Sequence, residues 1–106
     1  MNETNSNFFA YFASFCESGT DSGKAKSYAN AIHYLCDYLN INIYSFSSTD
    51  LQKIKSNEYY ITTKTSNFYK SFMDFLKSRG QTSYLKNGFV RAALPLFYKY
   101  CSLHNL

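Results

Sequence analysis

The stretch TSYLKNGFVRAALPLFYKYCSL, residues 82–103, determines the arrangement expected for the whole chain. Its apolar side chains recur at helical spacing in two stripes. One stripe consists of Leu85, Phe89, Ala92, Leu96 and Leu103, and the other of Val90, Leu94, Phe97 and Cys101. A helix that is apolar on two sides is buried on both, so this segment predicts the central helix of a bundle. Pro95 lies on the polar strip, where water can bind the freed carbonyl, and predicts a kink without a break.

Three further helices are predicted upstream of this segment. Apolar side chains recur at helical spacing over residues 8–16, 24–39 and 68–76. Ser, Asn or Asp precedes each run as a capping residue, and Gly or Asn follows each run as a terminator. The terminators are Gly19, Asn40 and Gly80. Each segment therefore predicts an amphipathic helix that packs against the helix at residues 82–103.

Between the second and third of these helices the pattern is less regular. Residues 41–46 alternate apolar and polar side chains, which predicts an extended connector tucked against the core. Thr49-Asp50-Leu51-Gln52 matches a capping box and predicts a helix of about two turns, whereas residues 57–65 are polar and irregular. We therefore expect an all-α fold, a compact orthogonal bundle of about five helices. It occupies a single domain at residues 7–106, after a disordered tail at residues 1–6.

Aromatic residues make up 20% of the 106 residues, as 11 Tyr and 10 Phe with no Trp. Leu, Ile and Val together supply only 15 residues, so Phe and Tyr must form much of the core. A single Val also disfavours a β-sandwich or a parallel sheet, which need runs of β-branched residues. Five tyrosines are not required by this core and are predicted to be exposed: Tyr34, Tyr38, Tyr59, Tyr60 and Tyr98.

Several functional classes lack their sequence signals. No apolar run approaches the roughly 18–20 residues of a membrane span, and residues 1–6 show no signal-peptide pattern, which predicts a cytoplasmic chain without a membrane partner. Cys16, Cys36 and Cys101 are odd in number and widely spaced, so we expect buried reduced thiols. With two histidines, no Gly-rich phosphate loop and no paired carboxylates, the sequence predicts no enzyme, no metal and no cofactor.

Charge is unevenly distributed between the two halves of the chain. Residues 1–50 contain two Lys against five Asp and Glu, a balance of −3. Residues 51–106 contain nine Lys and Arg against two Asp and Glu, a balance of +7, so the sum is +4. A strongly basic half in a small domain indicates a polyanionic partner such as nucleic acid.

Three segments resemble the core-binding, SAM-like domain of tyrosine recombinases and phage integrases. Residues 23–39, GKAKSYANAIHYLCDYL, are similar to the opening helix of that family, and Thr49-Asp50-Leu51 is similar to its Asp-Ile/Leu segment. Residues 82–101 resemble its closing helix, in which an Arg-x-Ala sequence leads to Phe-Tyr-Lys-Tyr. Residues 40–45, NINIYS, are also similar to the N-terminal helical module of bacterial restriction endonucleases.

The resemblance implies a non-catalytic module that grips double-stranded DNA in a bacterial or phage recombination or restriction system. No counterpart of the recombinases' catalytic residues is present, so a protein partner or a fused catalytic domain is also implied. Helix starts and basic side chains on the opening and closing helices would contact phosphates. The implied DNA-binding residues are Lys24, Lys26, Ser27, Asn30, Thr82, Ser83, Lys86, Asn87, Arg91 and Lys99.

Two alternatives to duplex binding remain open. Helical bundles of this type also pair with proteins, and tyrosine-rich surfaces are common at interfaces, so a protein-interaction or oligomerisation adaptor is the main alternative. Exposed tyrosines would also suit stacking on the bases of single-stranded nucleic acid.

Overall fold

Helices account for all the regular structure in the part of the chain that the computed structural model describes, residues 8–19 and 22–106. They are α1 (Phe8–Gly19), α2 (Ser22–Tyr38), a 3-10 turn (Ile43–Ser45), α3 (Ser48–Thr62), α4 (Asn67–Ser78), α5 (Ser83–Lys86) and α6 (Phe89–Leu103). The prediction of an all-α bundle is confirmed, with one α-helix more than expected because the closing helix is divided. The predicted tail at residues 1–6 lies outside the described residues.

The last helix, α6, packs against α1, α2 and α5. The second predicted stripe is fully buried: Val90, Leu94, Phe97 and Cys101. The first stripe is wrong at two positions, because Ala92 is exposed and Leu103 is 65% exposed. Ala93 and Tyr100 are buried instead and widen the second stripe. The helix therefore buries one broad face against its neighbours, and its opposite face lies in water.

The predicted continuous helix over residues 82–103 is wrong, because the chain turns at Gly88. This residue has φ 80° and ψ 11°, a left-handed conformation that cannot continue an α-helix. As a result α5 is a single turn, and the long helix begins at Phe89. It then continues through the exposed Pro95, without a break, as predicted. Left-handed Asn40 (φ 60°) and Gly80 (φ 68°) follow α2 and α4, which confirms them as terminators.

Phenylalanine rings form the centre of the core, as the composition predicts. Phe12 of α1 and Phe97 of α6 meet edge to face with ring centroids 5.2 Å apart. Phe46, from the connector before α3, meets Phe97 at 5.4 Å, also edge to face. All three side chains are at most 1% exposed. The expected share of Phe and Tyr is too high, because among the buried apolar residues of the described chain 11 are Leu, Ile or Val and five are Phe or Tyr. Most of the other aromatic rings pack against this core while remaining partly exposed.

The alternating pattern predicted an extended connector between α2 and α3. The structure contradicts this in part, because the connector contains a 3-10 turn. The amide of Tyr44 donates a hydrogen bond to the side-chain oxygen of Asn42 at 2.8 Å, and residues 43–45 form a 3-10 turn. Such local side-chain bonds compete with extended backbone. Ile41 and Phe46, at either side of the turn, are buried against the core as predicted.

The helix α3 starts from a different capping box than the sequence predicted. The amide of Ser47 donates to the carboxylate of Asp50 at 3.0 Å, and the amide of Asp50 donates to the hydroxyl oxygen of Ser47 at 3.4 Å. This reciprocal pair defines Ser47 as the N-cap. The predicted pair, Thr49 and Gln52, is wrong, because both residues lie two positions further on, inside the helix.

The helix α3 also extends to Thr62, through a stretch predicted to be irregular. Ile61 is 1% exposed and continues the buried side that begins with Leu51 and Ile54. Polar side chains in this stretch donate hydrogen bonds to the backbone of the preceding turn. The side-chain amide of Asn57, for example, donates to the Lys53 carbonyl at 2.8 Å. Tertiary burial thus outweighs the weak helix propensity of Ser, Asn and Thr.

The tyrosine surface differs from the one predicted. Tyr59 and Tyr60 are 69% and 49% exposed, as expected. Three others are half-buried against the core, which contradicts the prediction: Tyr34, Tyr38 and Tyr98. Their rings pack against the core, and the Tyr98 hydroxyl donates a hydrogen bond to the Glu58 carboxylate at 2.8 Å. Tyr11 and Tyr44 are exposed at 57% and 63%.

Candidate nucleic-acid interface

The turn between α3 and α4 positions a lysine and a tyrosine on the surface. The Ser66 hydroxyl donates to the Tyr60 carbonyl at 2.6 Å and accepts from the Tyr69 amide at 3.0 Å. Ser66 therefore both caps α4 and ties it to the end of α3. This closure holds the short turn that carries Lys64 close to Tyr69, in the first turn of α4.

The junction between α5 and α6 contributes the second wall of the site. The amides of Asn87 and Gly88 donate to the carbonyls of Ser83 and Leu85 at 2.9 and 3.2 Å, which closes α5. The chain then reverses at Gly88, whose carbonyl accepts the first intrahelical bond of α6, from Ala92 at 2.9 Å. Backbone amides at residues 89–91 precede that bond and have no acceptor within the helix.

A cleft of about 270 Å³ lies between these two walls. Its lining combines basic, amide and apolar side chains and consists of Ile61, Thr62, Lys64, Tyr69, Leu85, Lys86, Asn87, Gly88 and Arg91. None of these residues is acidic. Three of the six predicted DNA-binding residues on the closing segment, Lys86, Asn87 and Arg91, thus share one concave surface.

The three cations of the cleft are available to a ligand. Lys64, Lys86 and Arg91 are all exposed. Over residues 8–19 and 22–106, no carboxylate oxygen lies within ion-pair distance of their nitrogen atoms. The lining contains three cations and no acidic residue, so the cleft carries a net positive charge that an anion would neutralise.

Predicted DNA-binding residues of α2 lie beside α5. The side-chain amide of Asn30 donates a hydrogen bond to the Tyr84 hydroxyl at 3.3 Å. One turn earlier on the same row of the helix is Lys26, which is exposed. The ring of Tyr28 meets Phe89 with centroids 6.0 Å apart, which places the first half of α2 against the start of α6. The opening and closing helices therefore pack together at the ends that carry their predicted contacts.

The remaining predicted residues are not among those that line the cleft. Lys24 and Ser83 are exposed, while Ser27 and Thr82 are half-buried. Lys99 is also exposed but lies eight residues after Arg91, about 12 Å further along α6. The helix start expected at Thr82 and Ser83 is that of the single turn α5, so the N-terminus of the long helix is at Gly88 and Phe89 instead.

Sequence reasoning missed Lys64 and Tyr69. They lie in the stretch interpreted as irregular and in the helix predicted after it, 22 and 17 residues before Lys86. No spacing pattern connects such distant positions. They join the site only because α3 and α4 pack together and bring their turn to the α5–α6 junction.

Other kinds of site have little support in the described part of the chain. No group of three or more His, Cys, Asp and Glu side chains there is arranged to hold a metal ion. None of its helices is long and apolar enough to span a membrane. In comparisons with known proteins, no family model, no curated protein and no solved structure matches the chain.

Proposed function

We propose that this chain is a non-catalytic DNA-binding module that grips duplex DNA through the basic surface formed by α2, α5 and the start of α6. One observation carries the proposal: Lys86, Asn87 and Arg91 converge with Lys64 on one cleft without acidic residues. The system it serves would be of the recombinase or restriction type, as the sequence resemblance implies.

Physical chemistry favours a polyanion on this surface. Lys and Arg side chains that neutralise backbone phosphates release condensed counterions, which supplies most of the affinity for a duplex at low salt. Amides at the start of α6 add oriented donors beside the same cations. The Asn30 amide is engaged by Tyr84 and half-buried, so it positions α5 and is not a free reader of base edges.

Fluorescence anisotropy with a labelled duplex tests the proposal. We expect micromolar or tighter binding at low salt that weakens as salt rises, with a slope of roughly −0.9 in log–log form for each phosphate contacted. Lys86→Glu combined with Arg91→Glu is expected to abolish binding while helicity, measured by circular dichroism, is retained. Both side chains are exposed, so the fold should tolerate the change.

A matched control separates the site from overall charge. Lys70→Glu combined with Lys77→Glu makes the same change in net charge at exposed positions of α4 outside the cleft. This control is expected to bind more weakly than the parent but much more tightly than the Lys86 and Arg91 variant. Equal loss in both variants, or no binding by the parent at low salt, would overturn the proposal.

A protein-interaction role is the second candidate, and a specific surface favours it. Tyr59 and Tyr60 are exposed, with ring centroids 5.4 Å apart, edge to face. Tyrosine is enriched at interfaces because it combines apolar area with a hydrogen-bonding tip. Sedimentation velocity over a range of concentrations, without nucleic acid, would detect self-association. Tyr59→Ser with Tyr60→Ser should then shift the chain to monomer.

A further inference from the structure

We infer that the cleft binds one nucleoside monophosphate, with the phosphate at its basic rim and the base against its apolar floor. The inference rests on the proposed function for its partner class, nucleic acid. It differs in what is bound, because the ligand is a single nucleotide inside the cleft and the duplex lies across the surface.

The size of the cleft supports a single nucleotide. Small-molecule pockets in proteins enclose roughly 300–1,000 Å³. At about 270 Å³ the cleft is slightly below that range, and it is too small for a segment of helix or a folded loop. Its walls come from two different inter-helix junctions, so a ligand would contact both at once.

The concentration of charge favours a terminal phosphate. A phosphodiester within a strand carries one negative charge, whereas a phosphomonoester carries about −1.5 to −2 at neutral pH and has three acceptor oxygens. Lys64, Lys86 and Arg91 line one small cleft, and together they match the larger charge. The guanidinium of Arg91 also suits bidentate contact with two phosphate oxygens.

The apolar part of the cleft suits a planar base. Ile61 and Leu85, which are 1% and 6% exposed, contribute the aliphatic part of the lining. Tyr69 is half-buried, and in the described part of the chain its ring stacks on no other aromatic ring. Asn87 is exposed and carries both a donor and an acceptor, as recognition of a base edge requires. A phosphotyrosine has no such edge, so the cleft favours a nucleotide.

Isothermal titration calorimetry on the full chain at low salt tests this site directly. The ligands are deoxyadenosine 5′-monophosphate, deoxyadenosine, inorganic phosphate and phosphotyrosine. We expect the nucleotide to bind at least about fivefold more tightly than the other three, as one base stacked on an aromatic ring would produce. A nucleotide no tighter than inorganic phosphate, or a phosphotyrosine as tight as the nucleotide, would overturn the inference.

Variants assign the two halves of the ligand. Tyr69→Leu keeps an apolar side chain but removes the ring, so it should lower nucleotide affinity about fivefold or more and leave phosphate affinity unchanged. Arg91→Gln should weaken nucleotide and phosphate alike. Tyr59→Leu, at an exposed tyrosine outside the cleft, is the matched control and should bind as the parent does. A Tyr59 variant as weak as the Tyr69 variant would refute the assignment.

Duplexes with different ends distinguish the source of the nucleotide and separate this inference from the proposed function. Tighter binding of a duplex with 5′-phosphate ends than of one with hydroxyl ends identifies a strand terminus as the ligand. Equal binding of both, with the free nucleotide still bound, identifies a free nucleotide. A duplex closed by hairpins at both ends has no strand terminus, so its binding measures the affinity of the basic surface alone. If it fails to bind while the nucleotide binds, only the proposed function falls.

Discussion

Gly88 determines the local geometry of the candidate site. Its φ of 80° lies in the left-handed region, where an L side chain strains the backbone. A Cβ added there would meet no atom within 4 Å, so space is not the reason for glycine. Conformation is the reason, because the turn separates α5 from α6 and places Lys86 and Arg91 on one concave surface.

Replacing Gly88 with Ala is expected to lower the free energy of unfolding by about 1–2 kcal/mol, because a left-handed Ala is strained by that amount. Gly88→Asn should lose much less, since Asn tolerates this conformation. Urea unfolding followed by circular dichroism measures both. An Ala variant as stable as the parent would show that the residue does not need its left-handed conformation.

At the level of elements, α3 shows how a helix is delimited. Its start is set by the reciprocal hydrogen bonds of Ser47 and Asp50, and its length by the burial of Ile61. Thr49, which also has the residue type of a cap, is exposed within the first turn. The sequence thus offers two overlapping capping signals, one at Ser47 and one at Thr49. Phe46 is buried in the core directly before Ser47, and its burial favours the helix start at Ser47.

Ser47→Ala and Thr49→Ala form a matched pair of variants that shows which of the two residues caps α3. The Ser47 variant should lose about 1 kcal/mol of unfolding free energy, because the Asp50 amide loses its acceptor. The Thr49 variant should change by less than about 0.5 kcal/mol, as surface substitutions commonly do. Chemical denaturation gives both values. A larger loss in the Thr49 variant would contradict the observed cap.

At the level of the whole molecule, three helices meet around buried thiols. Cys16 of α1, Cys36 of α2 and Cys101 of α6 are all free and fully buried, as the sequence predicted. Burial raises the pKa of Cys16 to about 11 and that of Cys101 to about 12, while nearby Lys55 partly opposes the rise at Cys101. Burial, followed by the charges of Asp37 and Asp50, also raises the pKa of Cys36. The folded chain thus favours the neutral thiols.

The fold should therefore lose stability in alkaline solution. Unfolded thiols ionise near pH 9, but the folded pKa values are higher, so the stabilisation is complete below pH 9 and is lost as pH rises towards 11 and 12. In that window each thiol should lower the free energy of unfolding by roughly 1 kcal/mol per pH unit. Urea unfolding under reducing conditions measures it.

The double variant Cys16→Ala with Cys101→Ala is the control for this prediction. It retains Cys36, Tyr98 and Tyr100, whose pKa values burial also raises, so the difference between the two proteins reports chiefly on Cys16 and Cys101. Its unfolding free energy should fall less steeply above pH 9 than that of the parent. Identical slopes in the two proteins would show that these thiols do not contribute.

Local patterns predicted most of the elements but only part of the site. The helices α1, α2 and α4, the terminators of α2 and α4, and the buried phenylalanines follow from periodicity and composition, because these depend on neighbours within a few turns. Lys86, Asn87 and Arg91 were also identified from the sequence. That they share a cleft, and share it with Lys64 and Tyr69, depends on the approach of segments about 20 residues apart.

By itself, the sequence determined an all-α chain with an aromatic core, buried cysteines and a basic second half, since side-chain size, polarity and helical spacing are local properties. Tertiary structure alone decided the capping register of α3, its extension to Thr62, the division of the closing helix at Gly88 and the half-burial of three tyrosines. In each case the local sequence pattern allowed a different outcome from the one observed. The selection came from burying apolar area between helices, a term that no single segment contains.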